Sequence, residues 1–588
     1  MRFLAVSANA FPLVLALLPF LSRTENGARF QTSSETHPPP AQFVAEPGIP
    51  GGTLVISSHS EPKTLNPLLA VDSSSRKITA LLNADLIHIN SATQQTEPAL
   101  AESWSVSDSG RRYLLHLRHG LRFSDGSPFD ADDVVFSFRA YLDDRVQSPQ
   151  RDLLITAGKP IRVEKIDPYT VAFSLERPYA AAERLFDGLA MLPRHLLENQ
   201  LQQGTLRSAW NLATAPQAIA GLGPFRVASY APGQRIVLER NPYYWKSDSR
   251  GTRLPYLDRI SVVFAANTDA EVMRFEQGET DLIENLDAQN FALLARRQNA
   301  GHYRAVDIGP GLEYDFLFFN QNAFPSEPFP HLFERQKWFR ETQFRRAVSA
   351  AIDRDALIRL AYFGRADALA TLVTPGNRRW TDPAIPRPVR SLENARRLLS
   401  SCGFSWASDH SLLDPARNPV RFAITVNAGK PQQVEMATLI QQDLKDIGIQ
   451  VDLDQIEFHT FMDRIFSNYR YEAAIIALAD GDADPNSEFN VLSSTGTAHL
   501  WQLKSAGPIP KWQAEIDQLL DKQLITQNYE ERKAIYNRIQ QVVWENMPMI
   551  CLVSPHILAA AKNSVGNFHP AILGDPALWN ADRLFLRP

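Results

Sequence analysis

The stretch ADGDADPN, residues 479–486, sets Asp480, Asp482 and Asp484 on alternate positions. Three carboxylates so close suit a calcium loop, a pair of catalytic acids, or an anchor for a cationic ligand. Spacing excludes the first. An EF-hand loop opening at Asp480 needs glycine at its sixth position and a bidentate glutamate at its twelfth. Pro485 and Val491 stand there instead. A catalytic pair needs carboxyl groups opposed across the scissile bond, which one short loop seldom supplies. An ammonium group is less demanding, because one carboxylate makes a strong charge-assisted hydrogen bond to it. A solvated turn is the structural alternative, since Asp and Gly favour turns in any setting.

The elements around this loop bear on the choice. VRFAITVN (420–427) places Val420, Phe422, Ile424 and Val426 on one face, a period-two strand. QQVEMATLIQQDLKDIG (432–448) sets Ala437, Ile440, Leu444 and Ile447 on one helical face, with Gly448 as the stop. IQVDLDQI (449–456) alternates again, so the three segments predict a parallel βαβ unit. A second helix pattern, TFMDRIFS (460–467), leads into YEAAIIALA (471–479), an apolar run suited to a strand buried on both faces. The aspartates therefore follow the carboxyl end of a buried strand, where open α/β sheets bind ligands.

Further strands are predicted at GGTLVISS (51–58), RIVLER (235–240) and RISVVFAA (259–266). RRYLLHLRHGLRFSDG (111–126) predicts two short strands in a hairpin-like arrangement, broken at Gly120 and at Asp125-Gly126. DADDVVFSFRAYL (130–142) has the acidic start and apolar spacing of a helix. His116 and His119, three apart on strands, face opposite sides and do not share a metal.

At 588 residues the chain needs two or three domains, since one hydrophobic core does not grow that large. A net charge of −5 leaves no basic footprint for nucleic acid. Cys402 and Cys551 are the only cysteines, which excludes a disulfide framework and a four-thiolate metal site. Both read as buried free thiols, with one disulfide as the alternative. MRFLAVSANAFPLVLALLPFL opens with an arginine and an apolar run strongest from Phe11 to Leu21, which predicts an export signal over residues 1–28. An uncleaved anchor is the alternative, although the run is short for a bilayer span. No cysteine follows, so no lipobox is present. Residues 29–50 continue a Ser-, Thr- and Pro-rich linker.

Residues 97–138, EPALAESWSVSDSGRRYLLHLRHGLRFSDGSPFDADDVVFSF, resemble almost continuously the signature of family 5 of the bacterial extracellular solute-binding proteins. EPKTLNPLLAVDSSS (61–75), GLGPFRVASYAPGQRIVLERNPYYW (221–245), LPYLDRI (254–260), FRRAVSAAIDRDALI (344–358) and LKDIGIQVDL (444–453) resemble further blocks of that family in the family's order. The resemblance implies an α/β, two-lobed, three-domain periplasmic binding protein fold that closes on its ligand by hinge motion. Domain I would hold residues 50–90, 222–306 and 553–588, domain II 91–221 and domain III 307–552.

It also implies a function: a periplasmic receptor, acting as a monomer, that delivers peptides to the permease and ATPase of an ABC importer. Another amine-bearing solute, or a sensor or chaperone role, is the alternative. A hydrolase is less favoured, since no G-x-S-x-G, HExxH or G-x-G-x-x-G occurs, and SSRK (74–77) lacks a following K-T-G. In peptide-binding members an aspartate four residues before the loop's proline pairs with the ligand's α-ammonium. Here Gly481 holds that position, flanked by Asp480 and Asp482, so the anchor is shifted by one residue or absent. Asn320, after YDFLFFN, and His499 and Trp501 in AHLWQ are further polar and stacking candidates. No metal or cofactor is expected; nickel is disfavoured because no histidine cluster accompanies the aspartates.

Overall fold

A computed structural model describes residues 44–588 except 157, 323–329, 480–482 and 503–508. The predicted export signal and most of the linker thus lie outside the described residues. The chain divides into two compact units. The first holds the described residues up to Leu286, with Asn290–Asp307 and Leu558–Pro588; the second holds Asp287–Gln289 and Ile308–Ile557.

The first unit carries two main sheets. β1 (Thr53–Ser58) opens one of them, and the short strand β2 (Ile87–Ile89) lies apart from both. A four-stranded antiparallel sheet joins β3 (Ala101–Ser107), β4 (Arg112–Leu117), β5 (Arg162–Asp167) and β6 (Thr170–Ser174) in the order β3-β4-β6-β5. The other continues with β7 (Phe225–Ala231), β8 (Arg235–Arg240), β9 (Arg259–Phe264) and β10 (Leu282–Ile283), in the order β7-β8-β9-β1-β10. Beyond β10 it takes Ala560 and Ala561 of the long strand Met549–Lys562. Leu54 and Ile56 of β1, Tyr113 and Leu115 of β4 and Phe173 of β6 share one buried cluster, so a single apolar core backs both sheets.

Helix α1 (Ala131–Leu142) forms where the acidic start predicts it. Asp130 caps it by accepting from the Asp132 amide, and the Asp133 carboxylate accepts in turn from the Asp130 amide. The hairpin expected over 111–126 does not form. Only Arg112–Leu117 is a strand, and its partners are β3 and β6. Gly120, at φ +74°, ends the extended run, and Phe123 to Gly126 close a local turn with one isolated bridge from Arg122 to Pro128.

The second unit is built on β11 (Glu313–Phe319), β12 (Arg421–Asn427), β13 (Gln450–Ile456), β14 (Ala473–Ala479) and β15 (Met549–Lys562). Their order is β15-β11-β14-β12-β13. The βαβ expectation holds: β12 and β13 pair in parallel over seven residues, and α3 (Pro431–Lys445) connects them, preceded in the unit by α2 (Arg354–Ala361). Ala437, Ile440, Leu444 and Ile447 are all fully buried, as their spacing requires. Gly448 stops the segment at φ +86°, and a Cβ there would meet the His410 carbonyl at 2.5 Å. β14 pairs in parallel with β12 on one side and antiparallel with β11 on the other. Apolar clusters cover both faces of this sheet, one beneath α3, the other beneath α4 (Lys511–Ile525) and α5 (Tyr529–Asn546). Cys551 is buried and Cys402 half-buried, and both are free thiols.

Candidate functional site

β14 runs Ala473–Ala479 and delivers the chain to residues 480–482. Asp480 and Asp482 lie outside the described residues; Asp484 does not. Its carboxylate is buried and accepts two hydrogen bonds from Arg532 of α5, each 2.8 Å. Arg532 also donates to Gln523 Oε1 of α4 at 3.0 and 2.9 Å, and its guanidinium lies 5.2 Å from the Trp380 ring centroid. Asp484 accepts from the Asn486 amide as well, capping the short turn Pro485–Glu488. Asp484 is therefore an internal strut that fixes the descending limb of the loop. The sequence offered it as a ligand contact or turn residue, and its partner is 48 residues away.

Antiparallel pairing decides what lies beside the loop. Glu313, the first residue of β11, stands opposite Ala479, the last of β14, and Asp315 stands opposite Ala477. Asp315 is buried, with Oδ2 accepting from the Tyr362 hydroxyl at 2.6 Å and Oδ1 from the Gln433 amide of α3 at 3.0 Å. Burial first, and Glu313 next, raise the Asp315 carboxyl to about 7. Burial also raises Glu313, with the Lys430 ammonium before α3 opposing it. These carboxylates were missed in the sequence reading. Their signal was present: charged residues on alternate positions of an otherwise apolar strand, LEYDFLFF.

The same edge receives the carboxyl end of β12 and the N-terminus of α3. The chain also enters the unit there at Ile308 and leaves it at Ile557, since Asp315 pairs with Val553 of β15. Gly376 packs against this entry: a Cβ on it would lie 2.4 Å from the Pro310 carbonyl. Thr374 Oγ1 donates to the Gly311 carbonyl at 2.6 Å.

Asn320 belongs to the opposite edge. It follows the last residue of β11, where Phe319 faces Ala473, the first residue of β14. At about 3.3 Å of rise per residue the two ends of β14 are roughly 20 Å apart. Asn320 is fully buried and donates to the Tyr469 and Tyr471 carbonyls, both at 2.9 Å. Its Oδ1 accepts from the side chain and main chain of Asn322. Trp501 is buried in the cluster beneath α4 and α5, and the buried His499 lies beside it, their ring centroids 4.2 Å apart. The Trp501 carbonyl accepts from the Gln321 amide, which ties it to Asn320's edge. His499 Nδ1 donates to the Val491 carbonyl at 2.8 Å, and burial lowers its imidazole to about 4, so the ring is neutral. The structure thus places Glu313 and Asp315 beside the last residues of β14, at the end that leads into residues 480–482. It places Asn320 and Trp501 at the far end of the strand, and His499 with Trp501 inside the core.

Residues 95–499 match the family described as "Bacterial extracellular solute-binding proteins, family 5 Middle". A "Probable ABC transporter-binding protein" of Deinococcus radiodurans is 28% identical over 527 residues, covering 86% of this chain and 87% of that protein. The fold resembles the ABC transporter substrate-binding protein CtaP of Listeria monocytogenes, with a TM-score of 0.74 and 22% identity over 92% of this chain and 100% of that one. It also resembles the oligopeptide-binding protein AppA of Bacillus subtilis, solved with a nonapeptide, with a TM-score of 0.68, 22% identity and the same coverage of both chains.

Proposed function

This chain belongs to the bacterial extracellular solute-binding proteins of family 5, and from that premise we propose that it captures peptides for an ABC importer. The ligand lies at the carboxyl end of β14, where its α-ammonium meets the carboxylates of Asp480 or Asp482. The observation that supports this reading is the place of the strand: β14, buried within its sheet, ends at Ala479, so Asp480 and Asp482 follow the carboxyl edge of an α/β sheet, where such folds bind ligands. Peptide-named relatives, among them the dipeptide-binding protein of Escherichia coli at 24% identity over 539 residues, support the ligand class. The family works outside the cytoplasm, and no helix among the described residues is long and apolar enough to cross a membrane. Residues 1–28 serve as the export signal in this proposal, and the permease and ATPase receive the cargo. The first unit divides at about residues 91 and 221 into domains I and II, its four-stranded sheet falling within domain II.

The test is titration calorimetry of the mature protein with di- to pentapeptides and their N-acetylated forms. Free-amine peptides bind, and acetylation weakens binding by roughly thirty- to several-thousand-fold, the range for losing one partner of a desolvated charge pair. Equal binding of both forms overturns the ammonium anchor. Binding only to polyamines or sugars overturns the peptide reading.

A further inference from the structure

Far from this edge in the chain, the first unit brings together three side chains that no sequence spacing announces. Asp85 precedes β2, His88 lies on β2, and Asp187 follows a turn almost a hundred residues later. The Leu86 and Ile87 amides both donate to the Phe186 carbonyl, which ties the two segments together. His88 Nδ1 lies 3.1 Å from Asp85 Oδ2 and 3.5 Å from Asp187 Oδ1. All three donor atoms lie within 4.8 Å of one another. We propose that Asp85, His88 and Asp187 form a site for one divalent transition cation of the zinc type, separate from the solute site.

Three observations carry the proposal. The first is spacing. Bonds of about 2.0–2.2 Å at tetrahedral angles separate ligand atoms by about 3.3–3.6 Å. The separations from His88 Nδ1 to the two carboxylates are 3.1 Å, just below that range, and 3.5 Å, within it. The second is the outer support. Gly188 donates its amide to Asp85 Oδ2 at 3.3 Å, and Ile89 donates its amide to Asp187 Oδ1 at 2.9 Å. Such bonds orient ligating carboxylates before a metal arrives. The third is convergence. Two carboxylate oxygens, from segments about a hundred residues apart, approach one imidazole nitrogen, so the three candidate donors share one small volume. The side chains are 16%, 35% and 30% exposed, which leaves a water or an entering ion access to a fourth position. One nitrogen and two oxygen donors without thiolate suit Zn²⁺, Co²⁺ or Ni²⁺ better than Mg²⁺, which prefers six oxygens. This inference departs from the sequence expectation that no metal is bound.

The test uses the untagged mature protein stripped with chelator and titrated with Zn²⁺ alone by calorimetry. One equivalent binds, excess Mg²⁺ does not displace it, and Co²⁺ in its place gives the intense visible bands of a tetrahedral site. Loss of an outer-shell partner alone weakens metal sites about 10–100-fold. Losing a direct ligand in His88→Gln or Asp187→Asn therefore weakens Zn²⁺ binding at least about tenfold. The double variant Asp480→Asn/Asp482→Asn binds Zn²⁺ like the parent. No Zn²⁺ uptake by the parent overturns the proposal, as does uptake that survives both His88→Gln and Asp187→Asn or disappears in the loop variant. Should the ligand variants fail to fold, a pale octahedral Co²⁺ spectrum in the parent overturns it equally.

Discussion

Asp484 is proposed to do different work from Asp480 and Asp482, and the difference is measurable. Asp484 belongs to a desolvated bidentate pair with Arg532, both side chains 6% exposed. Asp484→Asn leaves the guanidinium buried without its counter-charge, and breaking such a pair costs about 3–5 kcal/mol. Urea unfolding should show that loss; a change within about 0.5 kcal/mol, the range of an ordinary surface substitution, would remove the strut. Asp480→Asn and Asp482→Asn should behave in the opposite way. One of them weakens peptide binding by about 2–5 kcal/mol while unfolding as the parent does. Which one responds reports the direction in which the anchor has shifted around Gly481. If both bind as the parent, the two aspartates are a solvated turn and recognition lies elsewhere.

At the scale of elements, β11 carries the clearest pH dependence. The Asp315 carboxyl titrates near 7 in the folded protein against 3.8 when unperturbed. Below pH ~4 both states hold the proton and the contribution is complete. Between there and pH ~7 the folded state holds the proton and the unfolded state does not, so stability falls as pH rises. Asp315→Asn should flatten that limb of a urea-stability profile, and an unchanged limb assigns it to other groups. The same strand shows where sequence reading stops. Period-two and 3.6-residue patterns located β12, α3 and β13 to within three residues, because one buried face dictates each, and a continuous apolar run located β14, which is buried on both faces. Nothing in YDFLFFN states whether its strand runs with or against YEAAIIALA. Antiparallel pairing sends Asn320 to the far edge and brings Glu313 opposite Ala479, the last residue of β14. Pairing direction is a tertiary property, and so is the meeting of Asp85 and His88 with Asp187. The hairpin expected at 111–126 failed for a related reason: β4 found better partners in β3 and β6 than in its neighbour across Gly120.

For the whole molecule, the second unit is nearly one continuous stretch, Ile308–Ile557, while the first is assembled from segments on both sides of it. Continuity matters for folding, because every loop closed within one stretch orders less chain than a contact across an insertion. The stretch holds the order β15-β11-β14-β12-β13. Both faces of that sheet are covered by clusters whose members all fall between Tyr314 and Val553. A fragment of about 250 residues is large enough to bury a sufficient core of its own. Residues 308–557 expressed alone should therefore fold and melt in one cooperative transition, with retained near-ultraviolet circular dichroism from the buried Trp380 and Trp501. The Asp484–Arg532 pair is complete within this fragment, so Asp484→Asn should lower its stability by the same ~3–5 kcal/mol as in the full chain. A broad, non-cooperative melt, or a fragment indifferent to Asp484→Asn, would show that the second unit draws its stability from the rest of the chain.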